Sequence, residues 1–214
     1  MRLIPVTDAI YDYIADHSTQ VDEVHRDLVE RARMRIGRDK GALLTLLTQL
    51  TNTRQAIEIG TFTGYATLCI ARGLPAGGRV LTCDVSQEWT AVAERVWAHE
   101  NVTAKIDLRL GTAIETLRAL PPEPHHDLAF IGADKPGYLD YYEELLPRIR
   151  PGGAILINNV LLAGAVVTDP DDENARTMRE FNAHVCADKR VDAVMLSVGD
   201  GITLARKRPV DSAD

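Results

Sequence analysis

The sequence contains few of the residues that stabilise secreted proteins. Only three of its 214 residues are cysteines, none of them in a Cys-x-x-Cys pair, and aromatic residues make up 5%. Two of the cysteines, Cys69 and Cys83, lie in apolar stretches, where a buried and reduced thiol is the usual outcome. We therefore expect a reducing compartment rather than a disulfide scaffold.

The sequence also lacks the long apolar runs of membrane proteins and the positive charge of nucleic-acid-binding proteins. No run approaches the roughly 20 apolar residues that cross a bilayer, and residues 1–8 lack the apolar core of a signal peptide. The net charge is −7 at pH 7, and an acidic surface repels phosphate backbones. We expect a cytoplasmic protein that binds small molecules, with neither a membrane nor a nucleic acid as partner.

Nothing in the sequence divides the chain into separate domains. It has no internal repeat, no low-complexity tract and no linker rich in proline, glycine and serine. Two patterns near the N-terminus, over 21–36 and 39–51, repeat apolar residues at helical spacing. We predict one domain, with an N-terminal helical cap over 1–52, an α/β core over 53–208 and a tail over 209–214.

From residue 54 onwards, short apolar runs alternate with helical patterns. The apolar runs cover 55–59, 79–84, 105–110, 127–131 and 154–158, and a helical pattern follows each of them. This alternation predicts a mostly parallel sheet with helices on both faces. Two last runs, over 191–198 and 202–206, flank Gly199-Asp200-Gly201, which favours a tight antiparallel turn. The predicted fold class is α/β, a Rossmann-like sheet of seven strands with a C-terminal antiparallel hairpin and extra N-terminal helices.

The junction of the first strand and its helix carries the clearest ligand-binding pattern, Glu58-Ile59-Gly60-Thr61-Phe62-Thr63-Gly64. Open α/β sheets bind ligands at the carboxyl ends of their strands. Gly60 lets a ligand approach the backbone, and Gly64 is expected to let the helix pack closely on the strand. Asp84 ends the second strand, where a carboxylate can accept hydrogen bonds from both ribose hydroxyls of a nucleoside. Phe62 replaces the middle glycine of a dinucleotide turn, so S-adenosylmethionine, which has no pyrophosphate, fits better than a nicotinamide cofactor.

Over about residues 34–207, this pattern and three later ones resemble the caffeoyl-CoA and catechol O-methyltransferases. The motifs are Glu58-Ile59-Gly60-x-x-Thr63-Gly64-Tyr65, Ala133-Asp134-Lys135-x-x-Tyr138, Pro151-Gly152-Gly153 and Val198-Gly199-Asp200-Gly201-Ile202-Thr203. The resemblance implies a single methyltransferase domain of class I that takes its methyl group from S-adenosylmethionine. It also implies a homodimer, which the leucine-rich pattern over 39–51 favours because it offers more apolar surface than one sheet face needs.

The resemblance assigns roles to individual residues. It implies that the methyl donor is contacted by Glu58, Gly60, Thr61, Gly64 and Asp84 and that its pocket is also lined by Ala113 and Asp134. Lys135 matches the lysine that helps to receive the proton of a hydroxyl acceptor in the family.

The family's metal site is degenerate in this chain. Members read Asp-Ala-Asp-Lys after the fourth strand and Asp-Asn after the fifth, whereas this chain reads Gly132-Ala133-Asp134-Lys135 and Asn158-Asn159. Gly132 has no side-chain oxygen and Asn158 offers only a neutral amide, but Mg²⁺ and Ca²⁺ prefer charged oxygen ligands. The tryptophan and asparagine that shape the family's acceptor pocket are replaced as well. We predict weakened or absent dependence on a divalent metal.

The sequence leaves three functions open. The first is an O-methyltransferase that acts on a small-molecule hydroxyl. The second is an N-methyltransferase, because a nitrogen acceptor can dispense with a metal. The third is a catalytically inactive subunit that only binds S-adenosylmethionine.

Overall fold

A sheet of seven strands carries the fold. The computed structural model describes residues 6–19 and 36–209. The strands are β1 Gln55–Ile59, β2 Arg79–Asp84, β3 Ile106–Leu110, β4 His126–Ile131, β5 Ile149–Asn158, β6 Val191–Leu196 and β7 Ile202–Lys207. Their order across the sheet is β3-β2-β1-β4-β5-β7-β6. All neighbouring pairs are parallel except the two that β7 makes, with β5 and with β6.

Helices cover both faces of this sheet. They are α1 Asp8–Asp16, α2 Arg38–Leu50, α3 Tyr65–Gly73, α4 Gln87–His99, α5 Ala113–Ala119, α6 Tyr138–Arg148, α7 Ala165–Thr168 and α8 Glu173–Ala187. Buried side chains of α5, α6 and α8 pack on one face of the sheet, and those of α2, α3 and α4 pack on the other. None of the described helices combines the length and the apolar character that crossing a membrane requires.

The central strands are buried on both sides, which explains their nearly continuous apolar sequences. Successive side chains of a strand point to opposite faces. In β1, Ile57 and Ile59 join the core under α5, α6 and α8, and Ala56 joins the core under α3 and α4. β4 divides its side chains in the same way, with Ile131 on the first face and Phe130 on the second.

The predicted fold class is confirmed, and the differences lie at the ends of elements and in one additional helix. β1, β2 and α8 have their predicted bounds. β5 begins at Ile149, ahead of the predicted 154, because it pairs with His126 of β4, bulges over 150–153 and pairs again from Leu128 onwards. α1 was not predicted. The helix predicted over 21–36 lies almost wholly outside the described residues, as does the tail beyond residue 209.

Gly64 serves a different contact from the one expected. It is the N-cap of α3 with a φ of +78°, a left-handed backbone conformation. A Cβ there would stand 2.5 Å from the Cβ of Ala93 and 2.7 Å from Nε1 of Trp97, both on α4. The indole Nε1 of Trp97 also donates a 3.0 Å hydrogen bond to the Gly64 carbonyl. Gly64 therefore allows α3 to begin against α4, rather than against the strand.

We expect Gly64→Ala to destabilise the protein more than Gly77→Ala does. Both glycines have a φ near +77° (+78° and +76°), so both substitutions carry the left-handed penalty of roughly 1–2 kcal/mol. Only at Gly64 does the new methyl group meet packed atoms, since nothing lies within 4 Å of it at Gly77. The clash should lower the free energy of unfolding by a further ~1–3 kcal/mol, measured by chemical denaturation. Equal losses of unfolding free energy in the two variants would show that α4 moves aside without destabilising the protein.

Candidate active site

The candidate site lies at the carboxyl ends of β1, β2 and β4, where the strand order reverses direction across the sheet. Ligands of open α/β sheets bind at such points. Gly60, with a φ of +94°, donates a 2.9 Å hydrogen bond to the carbonyl of Cys83. Gly132 donates one of 2.8 Å to the carbonyl of Ile59. A Cβ on Gly60 would stand 2.7 Å from the Gly132 carbonyl oxygen, so only glycine permits this approach of the two turns.

Asp84 holds the turn that follows β1. Its Oδ2 accepts a 2.7 Å hydrogen bond from the backbone N–H of Phe62, and its Oδ1 accepts one of 2.9 Å from Ser86. Phe62 has a φ of +49°, a left-handed conformation that a non-glycine residue rarely adopts. Each carboxylate oxygen has two lone pairs, so both can also accept from ribose hydroxyls. Asp84 is thus placed both to shape the turn and to bind a nucleoside.

Glu58 lies beneath the same turn, and Thr61 is part of it. The Glu58 carboxylate is fully buried, and its Oε2 accepts hydrogen bonds from the hydroxyls of Thr67 and Thr82, the latter at 2.7 Å. The Thr61 hydroxyl is 2.6 Å from that of Thr82. Burial raises the pKa of Glu58 to about 7, although the two threonine hydroxyls lower it. The second oxygen, Oε1, is buried with no hydrogen-bond partner among the described residues, so part of the hydrogen-bonding capacity of Glu58 is unused.

Ala113 and Asp134 lie on opposite sides of this turn. Ala113 opens α5 directly after β3, and Gly111 between them donates a 2.8 Å hydrogen bond to the carbonyl of Asp84. Asp134 follows β4, and its carboxylate accepts hydrogen bonds from the Gly137 N–H at 3.1 Å and the Tyr141 hydroxyl at 2.7 Å. The structure therefore brings the predicted donor-binding residues around one crevice.

Val85 is a further candidate contact for the donor that the sequence did not single out. Its side chain is 71% exposed although it follows Asp84 directly. An exposed valine beside Asp84, the carboxylate predicted to bind ribose, offers an apolar surface to a base. A valine at a strand end is too common a feature to have singled out this residue.

Lys135 is partly buried beside the crevice. Its ammonium donates a hydrogen bond to the Tyr138 hydroxyl and lies 4.0 Å from the centre of that ring. The Tyr138 hydroxyl in turn donates a 3.0 Å hydrogen bond to the main-chain carbonyl of Asn158. Burial lowers the pKa of Lys135 to about 8; Lys40 also lowers it, whereas Asp200 and Asp134 raise it. An amine with this pKa can accept a proton near neutral pH.

Lys40 is the second functional candidate that the sequence did not reveal. It lies in the first turn of α2, is only 2% exposed, and shares a buried face with Leu44 and Thr48. Its ammonium donates to Oδ1 of Asn158 at 2.6 Å and to Oδ1 of Asn159 at 3.3 Å. Burial lowers the pKa of Lys40, and Asp200 and Asp39 oppose that shift. The available signal was a lysine on the buried face of an otherwise leucine-rich helix.

These residues do not fit a divalent cation. Gly132 has no side-chain oxygen, and the two amide oxygens at Asn158 and Asn159 already accept from the Lys40 ammonium. A dication bonded to both amides would stand roughly 4 Å from the ammonium, where the repulsion is ~8 kcal/mol at an effective dielectric constant of about 20. Neutral amides are weak compensation, because hard dications prefer charged oxygen ligands.

A cleft of about 700 Å³ opens next to this cluster, between α1, α2 and the turn that joins β6 to β7. Tyr11, Asp39, Leu43 and Gly199 are among its lining residues. Its volume is in the range of small-molecule sites. It leads to Gly199, which packs on the Lys40 side chain.

Comparison with known proteins agrees with the family resemblance of the sequence motifs. The sequence model of a family described as O-methyltransferase matches residues 13–208. Tricin synthase 1 of Oryza sativa subsp. japonica is 34% identical over 223 residues, which cover 94% of this chain and 88% of that protein. Caffeoyl-CoA O-methyltransferase of Eucalyptus gunnii is 35% identical over 219 residues, with the same coverage of 94% and 88%.

Solved structures give the same result. The O-methyltransferase TomG from Streptomyces achromogenes, in complex with S-adenosylmethionine, has a TM-score of 0.85 and 29% identity, over 94% of this chain and 96% of that chain. The O-methyltransferase from Bacillus cereus, in complex with S-adenosylhomocysteine, has a TM-score of 0.85 and 30% identity, over 94% and 97% of the two chains. The chain therefore belongs to the O-methyltransferase family, and it is an enzyme that transfers a methyl group from S-adenosylmethionine to an oxygen of a small molecule.

Proposed function

We propose that this enzyme methylates a small-molecule hydroxyl with Lys135 as the base and without a divalent metal. The observation that carries the proposal is the position of the Lys135 amine, which is partly buried beside the crevice in contact with Tyr138. Burial lowers the pKa of this amine to about 8. The residues that would otherwise hold a metal, Asn158 and Asn159, hold the Lys40 ammonium instead.

The transfer is an in-line displacement in which the positions of donor and acceptor carry much of the rate. The neutral amine of Lys135 takes the proton of the acceptor hydroxyl and becomes an ammonium. An oxygen lone pair forms the new O–CH₃ bond as the C–S bond breaks, and its electron pair stays on sulfur as S-adenosylhomocysteine. The positive charge thereby passes from sulfur to the Lys135 ammonium, and the net charge of the site stays the same.

The donor side of this proposal rests on Glu58, Gly60, Asp84, Ala113 and Asp134. Asp84 would hold the ribose hydroxyls, and the turn at Gly60 would approach the donor with its backbone. Thr61 and Gly64 would shape that turn, since the Thr61 side chain and the Gly64 backbone are already engaged within the protein.

Asp84→Ala should weaken the binding of S-adenosylhomocysteine by ~1–3 kcal/mol. The variant loses charge-assisted hydrogen bonds to the ribose and the acceptor of the Phe62 N–H. Isothermal titration calorimetry measures this change. Asp107→Ala is the matched control, because that carboxylate lies near the other end of β3 and pairs with Arg109 at the surface. Unchanged affinity in a folded Asp84→Ala protein would remove Asp84 from the site.

The rate of methyl transfer should rise with pH through the pKa of Lys135. The base must be neutral, so kcat/KM should increase up to about pH 8 and level off above it. The charged groups around Lys135 are Lys40, Asp134 and Asp200, and the Tyr138 hydroxyl contacts it directly. The profile is measured in excess EDTA, with an acceptor whose own hydroxyl titrates well above this range.

Lys135→Arg keeps the positive charge but cannot lose its proton in this range. In this variant the ascending limb of the pH profile should disappear, and the rate should fall roughly 10²- to 10⁴-fold. The affinity for S-adenosylhomocysteine should stay the same. A flat profile for the unmodified enzyme, or the same limb in Lys135→Arg, would exclude Lys135 as the base.

The protein should be a homodimer that pairs through α2. Leu46 and Leu50 on α2 are 52% and 70% exposed, and Val6 and Ile14 add apolar surface nearby. Light scattering at micromolar concentration should give twice the 23.6 kDa of one chain. Leu46→Glu should shift the mass towards one chain, whereas Leu139→Glu, on an equally outward position of α6, should not. A single-chain mass for the unmodified protein would contradict the dimer.

The cytoplasm is the proposed location, because the cysteines are free. Cys69 and Cys83 are buried thiols and Cys186 is an exposed one. An exposed free thiol persists most readily in a reducing compartment. Cell fractionation tests this, and recovery of the protein outside the cytoplasm would contradict it.

A further inference from the structure

We propose that the Lys40 ammonium is the fixed cation of the acceptor site, standing where a divalent ion would otherwise bind, and that it receives a single anionic oxygen of the acceptor. The proposal rests on the function proposed above and adds a residue and a substrate class to it. The base and the cation of the site are then two different lysines, Lys135 and Lys40.

The contacts of Lys40 require the protonated amine. Its Nζ has three oxygen acceptors: Oδ1 of Asn158 at 2.6 Å, Oδ1 of Asn159 at 3.3 Å and the Gly201 carbonyl at 3.4 Å. An ammonium has three hydrogens for them, whereas a neutral amine has two. Lys135 differs, because the hydrogen bond that it donates goes to the Tyr138 hydroxyl, and a neutral amine can donate it as well as an ammonium. The three acceptors therefore favour the charged form of Lys40, and no such set of acceptors surrounds Lys135 among the contacts described.

The surrounding backbone is shaped to receive this charge. Gly199 lies against the lysine, and a Cβ there would stand 2.8 Å from Cε and 3.3 Å from Nζ. Asn159 has a φ of +56°, a left-handed conformation that is uncommon outside glycine. Its backbone N–H donates a 3.0 Å hydrogen bond to the Gly201 carbonyl, which also accepts from Lys40. Strained backbone of this kind clusters at functional sites.

Asn158 connects the two lysines. Its side-chain oxygen accepts from Lys40, and its main-chain carbonyl accepts from the Tyr138 hydroxyl, which in turn accepts from Lys135. Both amines are thereby positioned by one residue at the end of β5. An acceptor oxygen that meets Lys40 would lie close to the amine that removes its proton.

The geometry favours acceptors with one ionisable hydroxyl. Two of the three Lys40 contacts are long, at 3.3 and 3.4 Å, so the ammonium can exchange one of them for an oxygen anion. A divalent ion has several coordination positions and can bind two adjacent oxygens of one ligand. Lys40 has only one exchangeable hydrogen bond to offer, so it can bind one oxygen. A second oxygen next to the reacting hydroxyl should therefore bring little advantage.

The test follows the ionisation of a chromogenic probe, 4-nitrophenol, bound to the complex of the enzyme with S-adenosylhomocysteine. Beside the ammonium the phenol should ionise about one pH unit lower than in free solution, which is roughly a tenfold shift. Lys40→Met should abolish the shift and weaken nitrophenolate binding about 10- to 100-fold. S-adenosylhomocysteine should still bind normally, which reports that the variant is folded.

Lys105→Met is the matched control. Its ammonium also donates to main-chain carbonyls, those of Ala71 and Leu74 at 2.9 and 2.7 Å, but these lie away from the crevice. This variant should leave the probe unchanged. A shift that survives Lys40→Met, or one that Lys105→Met removes equally, would overturn the proposal, since Lys40 would then be a structural lysine only.

A second arm uses the unmodified protein, so it does not depend on the folding of a variant. The probe shift should be the same in excess EDTA and in millimolar Mg²⁺. A shift that appears only with Mg²⁺ would show that the ion, not Lys40, supplies the charge. The probe experiment measures binding and involves no methyl transfer. Its result can therefore be interpreted even if Lys135 is not the base. 4-Nitrocatechol, which carries a second adjacent hydroxyl, should bind no more than a few-fold better, and a Mg²⁺-dependent gain for it would also count against Lys40.

Discussion

The close approach of two backbone turns, at Gly60 and Gly132, is the contact on which the site depends. The turn after β1 and the end of β4 touch through main-chain atoms, with no side chain between them. Because β1 leads to β2 on one side and lies beside β4 on the other, this contact defines the floor of the crevice. Asp84 is placed on one side of it, and Asp134 and Lys135 on the other. Any side chain at Gly60 would separate the two halves of the site.

Two buried lysines with different surroundings divide the chemistry between them. Both ammonium groups lose solvation, which disfavours their charged forms. Three oxygen acceptors favour the charged form of Lys40, whereas burial lowers the pKa of Lys135 to about 8. A group whose charged form is stabilised by its neighbours can hold a charge while another group moves a proton. Such a division lets one site supply both a cation and a base from the same residue type.

The sequence revealed the parts of the fold that depend on local pattern. β1 and β2 were predicted with their observed bounds because their apolar runs end at sharp polar and glycine signals. The start of β5 was misplaced because pairing with β4 carries the strand through Pro151-Gly152-Gly153, which by itself favours a turn. The contact made by Gly64 was misassigned, since it depends on how α4 packs against α3. The predicted donor-binding positions came from the glycine-rich turn, from the carboxylate at the end of β2 and from the family resemblance, and they stay a prediction. The structure places them around the carboxyl ends of neighbouring strands.

Lys40 could not be interpreted in the same way. Its principal partner, Asn158, is 118 positions away along the chain. A single lysine near the start of a leucine-rich helix is compatible with an exposed first turn, and only the packed structure shows it to be buried. The loss of two carboxylates was visible in the sequence, but their replacement by a distant ammonium was not.

The position of Lys40 also links two elements at the site. The lysine belongs to α2, whereas its acceptors belong to the end of β5 and to the turn before β7. Local opening is a common low-energy fluctuation of folded proteins. Here an opening of α2 would withdraw a charge as well as a cover, because both travel on one helix. Docking of α2 and assembly of the full set of charges are then a single event, and an open molecule would keep Asp134, Lys135 and Asp200 but lose the Lys40 ammonium.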